Sequence, residues 1–295
     1  MIEDHVKKGL DFLETTSNNG FYECCISSAR DKESLVISPK EIGTSLLVLG
    51  TGLKFFNWKS LTKKSINYIN SQLEEGIAHF FEDEKLLPSD TDTTSWALST
   101  LVKLNQTPDY DIRNIANKIV SNVNKNGLIN IYFNPDKTSR ENRVDYVALA
   151  NILHFVNLCK KRDETKISEE FVFEKLKSQD YLEGSRYYHS PETFLYFTSR
   201  LLEFSEFRSK FGDLLYEETK SRIGTTDFPL DLAMRVTIMN RLHSKNKDEL
   251  DKLISLQEPS GSWPTDSIYR YGSKDGYFTS KNISTAFAIE SLMSK

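Results

Sequence analysis

Asp90 and Asp92 stand two residues apart in the stretch Pro88-Ser-Asp-Thr-Asp-Thr-Thr-Ser-Trp-Ala-Leu98. Two carboxyls this close can share a proton. Burial makes each resist ionising, and the charge of one raises the pKa of the other. That arrangement suits protonation of an isolated alkene, which needs a strong acid kept dry and undissociated. Asp92 would carry the proton and Asp90 would orient or share it. Thr93 and Thr94 could hydrogen-bond the carboxyls. Trp96 follows Asp92 by four residues, so on a helix it lies one turn along the same face. Its ring could stabilise a carbocation through the aromatic quadrupole. A plainer reading uses the same letters. Asp at a helix N-terminus is a cap, held as the anion by free N–H groups and the dipole, which lowers its pKa.

Other residues could serve a charged, apolar substrate. A diphosphate calls for guanidinium or ammonium groups, and Arg186, Arg235 and Arg270 fall near the same end of the predicted helices. Tyr146, Tyr187, Tyr277 and Phe278 could offer aromatic faces there. Asp145 precedes a helix in the third unit much as Asp92 does in the second. Each of these also has an ordinary role as cap, core or surface. The histidines His5, His79, His154, His189 and His243 have no paired spacing, and Cys24, Cys25 and Cys159 do not form a ligand set, so no protein-bound metal is expected.

The elements that must position these residues are helical. Apolar residues recur mostly at i, i+3, i+4, and few stretches alternate. The segments form a repeat with a period of roughly 50 residues, each unit an amphipathic outer helix, a polar or glycine-bearing loop and a more apolar inner helix. Outer segments are read at Ile2 to Glu14, about Trp58 to Glu74, Tyr110 to Asn124, Glu169 to Lys177, Phe207 to Ser221 and Lys247 to Leu256. Inner segments begin at Ser38-Pro39-Lys40-Glu41 (the pattern of a capping box), Asp92, Val144, Pro191, Leu230 and Asn282. Six pairs close into a ring more readily than they spiral. The expected fold is all-α, an (α/α)6 toroid formed by residues 1–295 as one domain, with the site at the N-terminal ends of the inner helices.

Bulk properties agree with an ordinary soluble globular protein. A net charge of −4 shows no basic footprint for nucleic acid. No apolar run approaches the ~20 residues that span a bilayer, and the N-terminus lacks a signal-peptide core, so a cytoplasmic location is expected. Three cysteines do not imply a disulfide framework. Aromatic residues make up 12% of the chain, enough to line an apolar cavity.

The sixth outer helix ends Leu253-Ile-Ser-Leu-Gln257-Glu-Pro-Ser-Gly261-Ser-Trp263. Here Gln can bond open helix-end groups, Gly permits the turn, and Trp can cover it. Gln72 with Gly76, and Gly20 with Phe21, are partial copies, which makes the motif structural. Together with the helix pairs and the Asp90-x-Asp92 stretch, it resembles the squalene–hopene and class II terpene cyclase superfamily over essentially the whole chain. That family's Asp-x-Asp-Asp motif supplies the acid, and Asp92 matches the donor position. Asp90-Thr91-Asp92-Thr93-Thr94 has Thr for the last Asp, a variant similar to that of drimane-type sesquiterpene cyclases. Those enzymes fuse the toroid to a haloacid-dehalogenase-like phosphatase, and other class II cyclases pair two toroids.

The resemblance implies a linear prenyl diphosphate substrate, such as farnesyl or geranylgeranyl diphosphate, cyclised to a decalin-type product. It implies no required cofactor, with Mg2+ able to join through the diphosphate. A second copy of the chain or a separate phosphatase is the expected partner, with a self-contained barrel as the alternative way to close the site. Asp-x-Asp-x-Thr is also the nucleophile motif of haloacid-dehalogenase phosphatases, but that must follow an apolar strand, whereas here Glu84-Lys-Leu-Leu-Pro-Ser89 precedes it. The alternatives are a non-catalytic toroid that binds an isoprenoid or protein partner, and an (α/α)6 carbohydrate-active enzyme, which would show a wet, polar cleft.

Overall fold

The computed structural model describes residues 2–57, 59–106, 110–133, 142–271 and 276–294. Its helices alternate between an outer and an inner layer. The outer helices are α1 (Ile2–Thr16), α3 (Ser60–Ser71), α5 (Ile112–Ser121), α7 (Lys166–Lys177), α9 (Ser205–Ser221) and α11 (Lys247–Ser255). The inner helices are α2 (Gly43–Gly50), α4 (Thr91–Lys103), α6 (Tyr146–Leu158), α8 (Pro191–Arg200), α10 (Pro229–Arg241) and α12 (Lys281–Met293). Each inner helix packs on the next, and α12 returns to pack on α2. The six inner helices therefore close a ring, as the repeat implied. Trp58, read as the start of the second outer segment, lies outside the described residues.

The two layers bury differently. An outer helix covers one stripe, as in α1 with Val6, Gly9, Leu10 and Leu13. Inner helices are walled on all sides, and α10 is buried continuously from Pro229 to Met239. Small hydroxyl residues such as Ser45, Thr94, Ser95 and Ser284 fill inner-helix positions and leave room for close neighbours. Each buried Leu or Phe contributes about 1.5–3 kcal/mol, so ring closure, which walls the inner helices on every side, supplies much of the stability.

Every unit places a positive-φ glycine between its outer and inner helices: Gly20, Gly76, Gly127, Gly184, Gly224 and Gly261. Gly261, at φ 90°, could not be replaced without strain, because a Cβ there would sit 2.3 Å from the Lys8 carbonyl oxygen. Around it, Gln257 Nε2 donates to the carbonyls of Gly261 and His5, each at 2.9 Å. The buried Trp263 donates from Nε1 to Leu253 O at 2.7 Å. The bond to His5 ties the last unit to α1 across the seam where the ring closes, and the other two hold the turn itself.

One local expectation fails because of pairing across the mouth. The helix expected from Pro39 begins at Gly43. Residues before it are taken by bridges, Cys25 to Ile37 and Glu41 to Phe81. Ser38 Oγ donates to Pro39 O instead of capping, and the cap acceptor is Glu41, which receives Thr44 N–H at 3.0 Å. A small antiparallel sheet also crosses the mouth in the order β1 (Cys25–Ser27), β5 (Tyr277–Thr279), β4 (Ser267–Arg270). A hairpin of β2 (Leu73–Glu74) and β3 (Ile77–Ala78) lies beside α4.

Candidate active site

The N-terminal ends of the inner helices surround a cavity of about 390 Å³. Its wall from α4 carries Asp90, Asp92, Thr93 and Trp96. Asp90 is the N-cap of α4 and accepts Thr93 N–H on Oδ1 at 2.6 Å. Its Oδ2 is buried and has no partner among the described residues. Asp92 sits in the first turn, partly exposed to the cavity. Its Oδ1 accepts from Asn151 Nδ2 at 2.7 Å, and its Oδ2 accepts from the Tyr188 hydroxyl.

Burial governs the electrostatics and overrides the cap. Asp90 is pushed up to about 7, by desolvation first and then by the charge of Asp92. Desolvation raises Asp92 to about 6, while the hydrogen bonds from Tyr188 and Asn151 pull it back. The helix N-terminus would hold both as ordinary anions in water. Here the pair stores a proton close to neutral pH. Asn151 Nδ2 can only donate, so a proton on Asp92 cannot pass to it. The proton must lie on the Tyr188 side or face the cavity.

Aromatic rings make up most of the remaining wall, including Phe80, Phe81, Tyr132, Phe197, Tyr269 and Phe278. Phe80 meets Phe81, Tyr269 and Phe278 edge-to-face, and Trp96 lies 5.2 Å from Phe197. Such a lining does not resemble the polar cleft of a carbohydrate enzyme. At the rim are Arg186 and Arg270, neither ion-paired with a carboxylate among the described residues. The Arg270 guanidinium donates to the carbonyls of Arg186 and Ser185, which ties the end of β4 to the loop before α8. Tyr187 also lines the cavity, its hydroxyl 2.6 Å from that of Tyr132.

Several expected site residues lie elsewhere. Arg235 is fully buried between Glu192 and Glu249, at 3.0 and 2.7 Å, and also donates to Thr226. It is an internal ion-pair residue and not a substrate contact. Asp145 caps α6, accepting from Val147 and Ala148 N–H, so it corresponds to Asp90 and not to Asp92. It stands behind the wall, although its charge raises Asp92. Tyr146 donates its hydroxyl to Gly184 O, which turns it away from the cavity. Tyr277 packs on His189, because strand side chains alternate and its neighbour Phe278 takes the inward position. Thr94 Oγ1 accepts Ala78 N–H at 3.0 Å and so faces β3 instead of the carboxyls.

Asn151 and the buried Arg200 were not among the expected site residues, and Tyr188 was expected only as an aromatic residue near the mouth, not as a donor to Asp92. The available signal was a polar Asn inside the apolar run Val147-Ala-Leu-Ala-Asn-Ile-Leu153. Among the described residues no three His, Cys, Asp or Glu side chains converge as metal ligands, and no helix is long and apolar enough to cross a membrane.

Residues 54–158 match the family model for the sesquiterpene cyclase astC-like C-terminal domain. The chain is 30% identical over 208 residues to drimenol cyclase drtB of Aspergillus calidoustus. That match covers 70% of this chain and 38% of the fungal protein, so the chain spans well under half the length of this relative. The fold is shared with a protein from Actinoplanes at a TM-score of 0.75 and 14% identity, covering 100% of this chain and 99% of the other. It is also shared with the type II terpene cyclase MstE from Scytonema at a TM-score of 0.69 and 13% identity, over 99% and 97% of the two chains. MstE in complex with geranylgeranyl dihydroxybenzoate matches at 0.71, with 13% identity over 99% and 96%. In ring fold and in part of its sequence the chain is class II terpene cyclase-like.

Proposed function

We propose that the chain is a class II terpene cyclase that acts on a linear prenyl diphosphate with Asp92 as general acid. One observation carries the reading: Asp90 and Asp92, both poised near neutral pH, form one wall of an aromatic cavity. The proton of Asp92 adds to the terminal double bond of the substrate and leaves a tertiary carbocation. Internal double bonds attack in turn, each forming a carbon–carbon bond and moving the charge inward. Loss of a proton to a base ends the sequence and leaves a decalin-type product.

The parts divide the work. Phe80, Trp96, Phe197 and Phe278 present ring faces to the migrating charge and exclude water, worth about 0.5–2 kcal/mol per cation contact. Arg186 and Arg270 hold the diphosphate at the rim, and Mg2+ enters with that group. A cavity of about 390 Å³ lies toward the small end of ligand pockets, which span roughly 300–1,000 Å³, and so favours farnesyl over geranylgeranyl diphosphate. The kinship with a drimenol cyclase supports the same choice.

Incubation with each diphosphate, with products extracted before and after phosphatase treatment, tests the reading. A bicyclic product from farnesyl diphosphate, lost in Asp92→Asn, is expected. No cyclic product from either substrate, or equal turnover in the variant, would overturn it. Saturable binding of the diphosphate without turnover would instead identify a non-catalytic isoprenoid-binding ring.

A further inference from the structure

Arg200 is buried at the C-terminal end of α8 and has no carboxylate partner among the described residues. Its guanidinium donates to Asn151 Oδ1, to Ser99 Oγ at 3.2 Å and to His154 Nδ1 at 3.2 Å. It also lies 4.0 Å from the centre of the Trp96 ring. A guanidinium can only donate, and that sets every direction in the chain of bonds. Asn151 must turn its oxygen to Arg200 and its amide N–H to Asp92, 2.7 Å away. His154 must accept at Nδ1, so its Nε2 carries the proton that it gives to Glu203 at 3.0 Å.

We propose that Arg200 is a positioning residue for the acid: through Asn151 it dictates which end of the amide meets Asp92, and so where the acidic proton points. The inference rests on the reading of Asp92 as proton donor. Without the cation only the longer bond from Nδ2 to the Asp92 backbone carbonyl, 3.2 Å, still favours this orientation, and the amide can turn over and offer its oxygen to the Asp92 carboxyl. That oxygen would accept the carboxyl's proton in a hydrogen bond and draw it away from the cavity. Arg200 also strengthens the acid, since its charge favours the carboxylate left after transfer. The other titratable groups around Asp92 are Asp90 on its own helix, Asp145 capping α6, Tyr188 before α8 and Tyr269 on β4.

Arg200→Met in the full chain, assayed with farnesyl diphosphate, should lower kcat by roughly 10- to 100-fold, the size of effect that follows misplacement of a reacting group. KM should stay within about twofold, because Arg200 does not reach the rim. The pH limb of kcat should move to higher pH, since loss of the cation weakens the acid. Arg200→Lys, which keeps the charge without the planar fork, should restore the position of the limb but only part of kcat. In an Asn151→Ala background, Arg200→Met should add little further loss, because the two residues act as one unit.

Unchanged kcat and limb in folded Arg200→Met, or fully additive losses, would overturn the proposal. An inactive Asp92→Asn beside a normal Arg200→Met sinks only the positioning role, whereas an active Asp92→Asn sinks the acid itself. A measurement on the unaltered protein needs no variant to fold. The side-chain amide signals of Asn151 in 15N–1H spectra should titrate together with the Asp92 carboxyl, and signals that stay fixed across that transition refute the contact.

Discussion

Replacing Asp90 by Asn should make the protein more stable at pH 8 while abolishing or crippling cyclisation. Asn caps a helix about as well as Asp, so the bond from Thr93 N–H to Oδ1 survives. What disappears is a buried charge whose second oxygen has no partner among the described residues. In the folded chain the carboxyl ionises at about 7, against an ordinary value of 3.8. Between those values the native state holds a proton that the unfolded state has released. The stability this group contributes is therefore present at acid pH and lost as pH rises through the window. Roughly three pH units at 1.36 kcal/mol each amount to about 4 kcal/mol at pH 8, and roughly one unit to about 2 kcal/mol at pH 5. Asp90→Asn escapes that penalty, so its advantage over the unaltered protein should grow from about 2 kcal/mol at pH 5 to about 4 kcal/mol at pH 8. Urea unfolding at pH 5, 6.5 and 8, with the slope checked for constancy, measures this directly. The reasoning is refuted if the advantage is the same at all three values, or if the variant is weaker at pH 8. Either result would mean that Asp90 is a solvated cap held as an anion. A stabilised but inactive variant is the usual sign of a residue kept for function at the expense of the fold.

Tyr188→Phe keeps the ring packing on Phe197, 5.4 Å away, and removes the hydroxyl that donates to Asp92 Oδ2. A hydrogen bond to a charged group is worth about 1.5–3 kcal/mol, so the Asp92 transition, now near 6, should rise by roughly one to two pH units. The acid works protonated, so activity is present below this transition and falls above it. The pH–rate limb should move up by that amount, and an unmoved limb would show that Tyr188 does not bond the acid. Arg235→Met should leave Glu192 and Glu249 buried without their shared cation, at a cost of about 3–5 kcal/mol of stability, while KM measured at a temperature where the variant is folded stays constant. A raised KM with an undiminished Tm would return Arg235 to the substrate.

What the amino-acid sequence determined by itself was local and repeated. Helix pairing showed in the i, i+3, i+4 spacing, because an outer helix can bury only one stripe. The unit length showed in glycines such as Gly20, Gly76 and Gly261, because only Gly enters the left-handed turn without strain. Asp90 and Asp92 showed at the head of an inner helix because capping chemistry depends on neighbours in the chain. The rest depended on which unit faces which. Arg235 and Arg270 read alike in sequence, yet one is locked between two glutamates and the other stands at the rim. Tyr277 and Phe278 differ in role by the pleat of a three-residue strand, formed only because β1 and β4 flank it. Asn151, Tyr188 and Arg200 come from parts of the chain that meet only when α6 and α8 close against α4. The raised pKa values of Asp90 and Asp92 come from the same closure, since a single helix in water would leave both aspartates solvated and ionised.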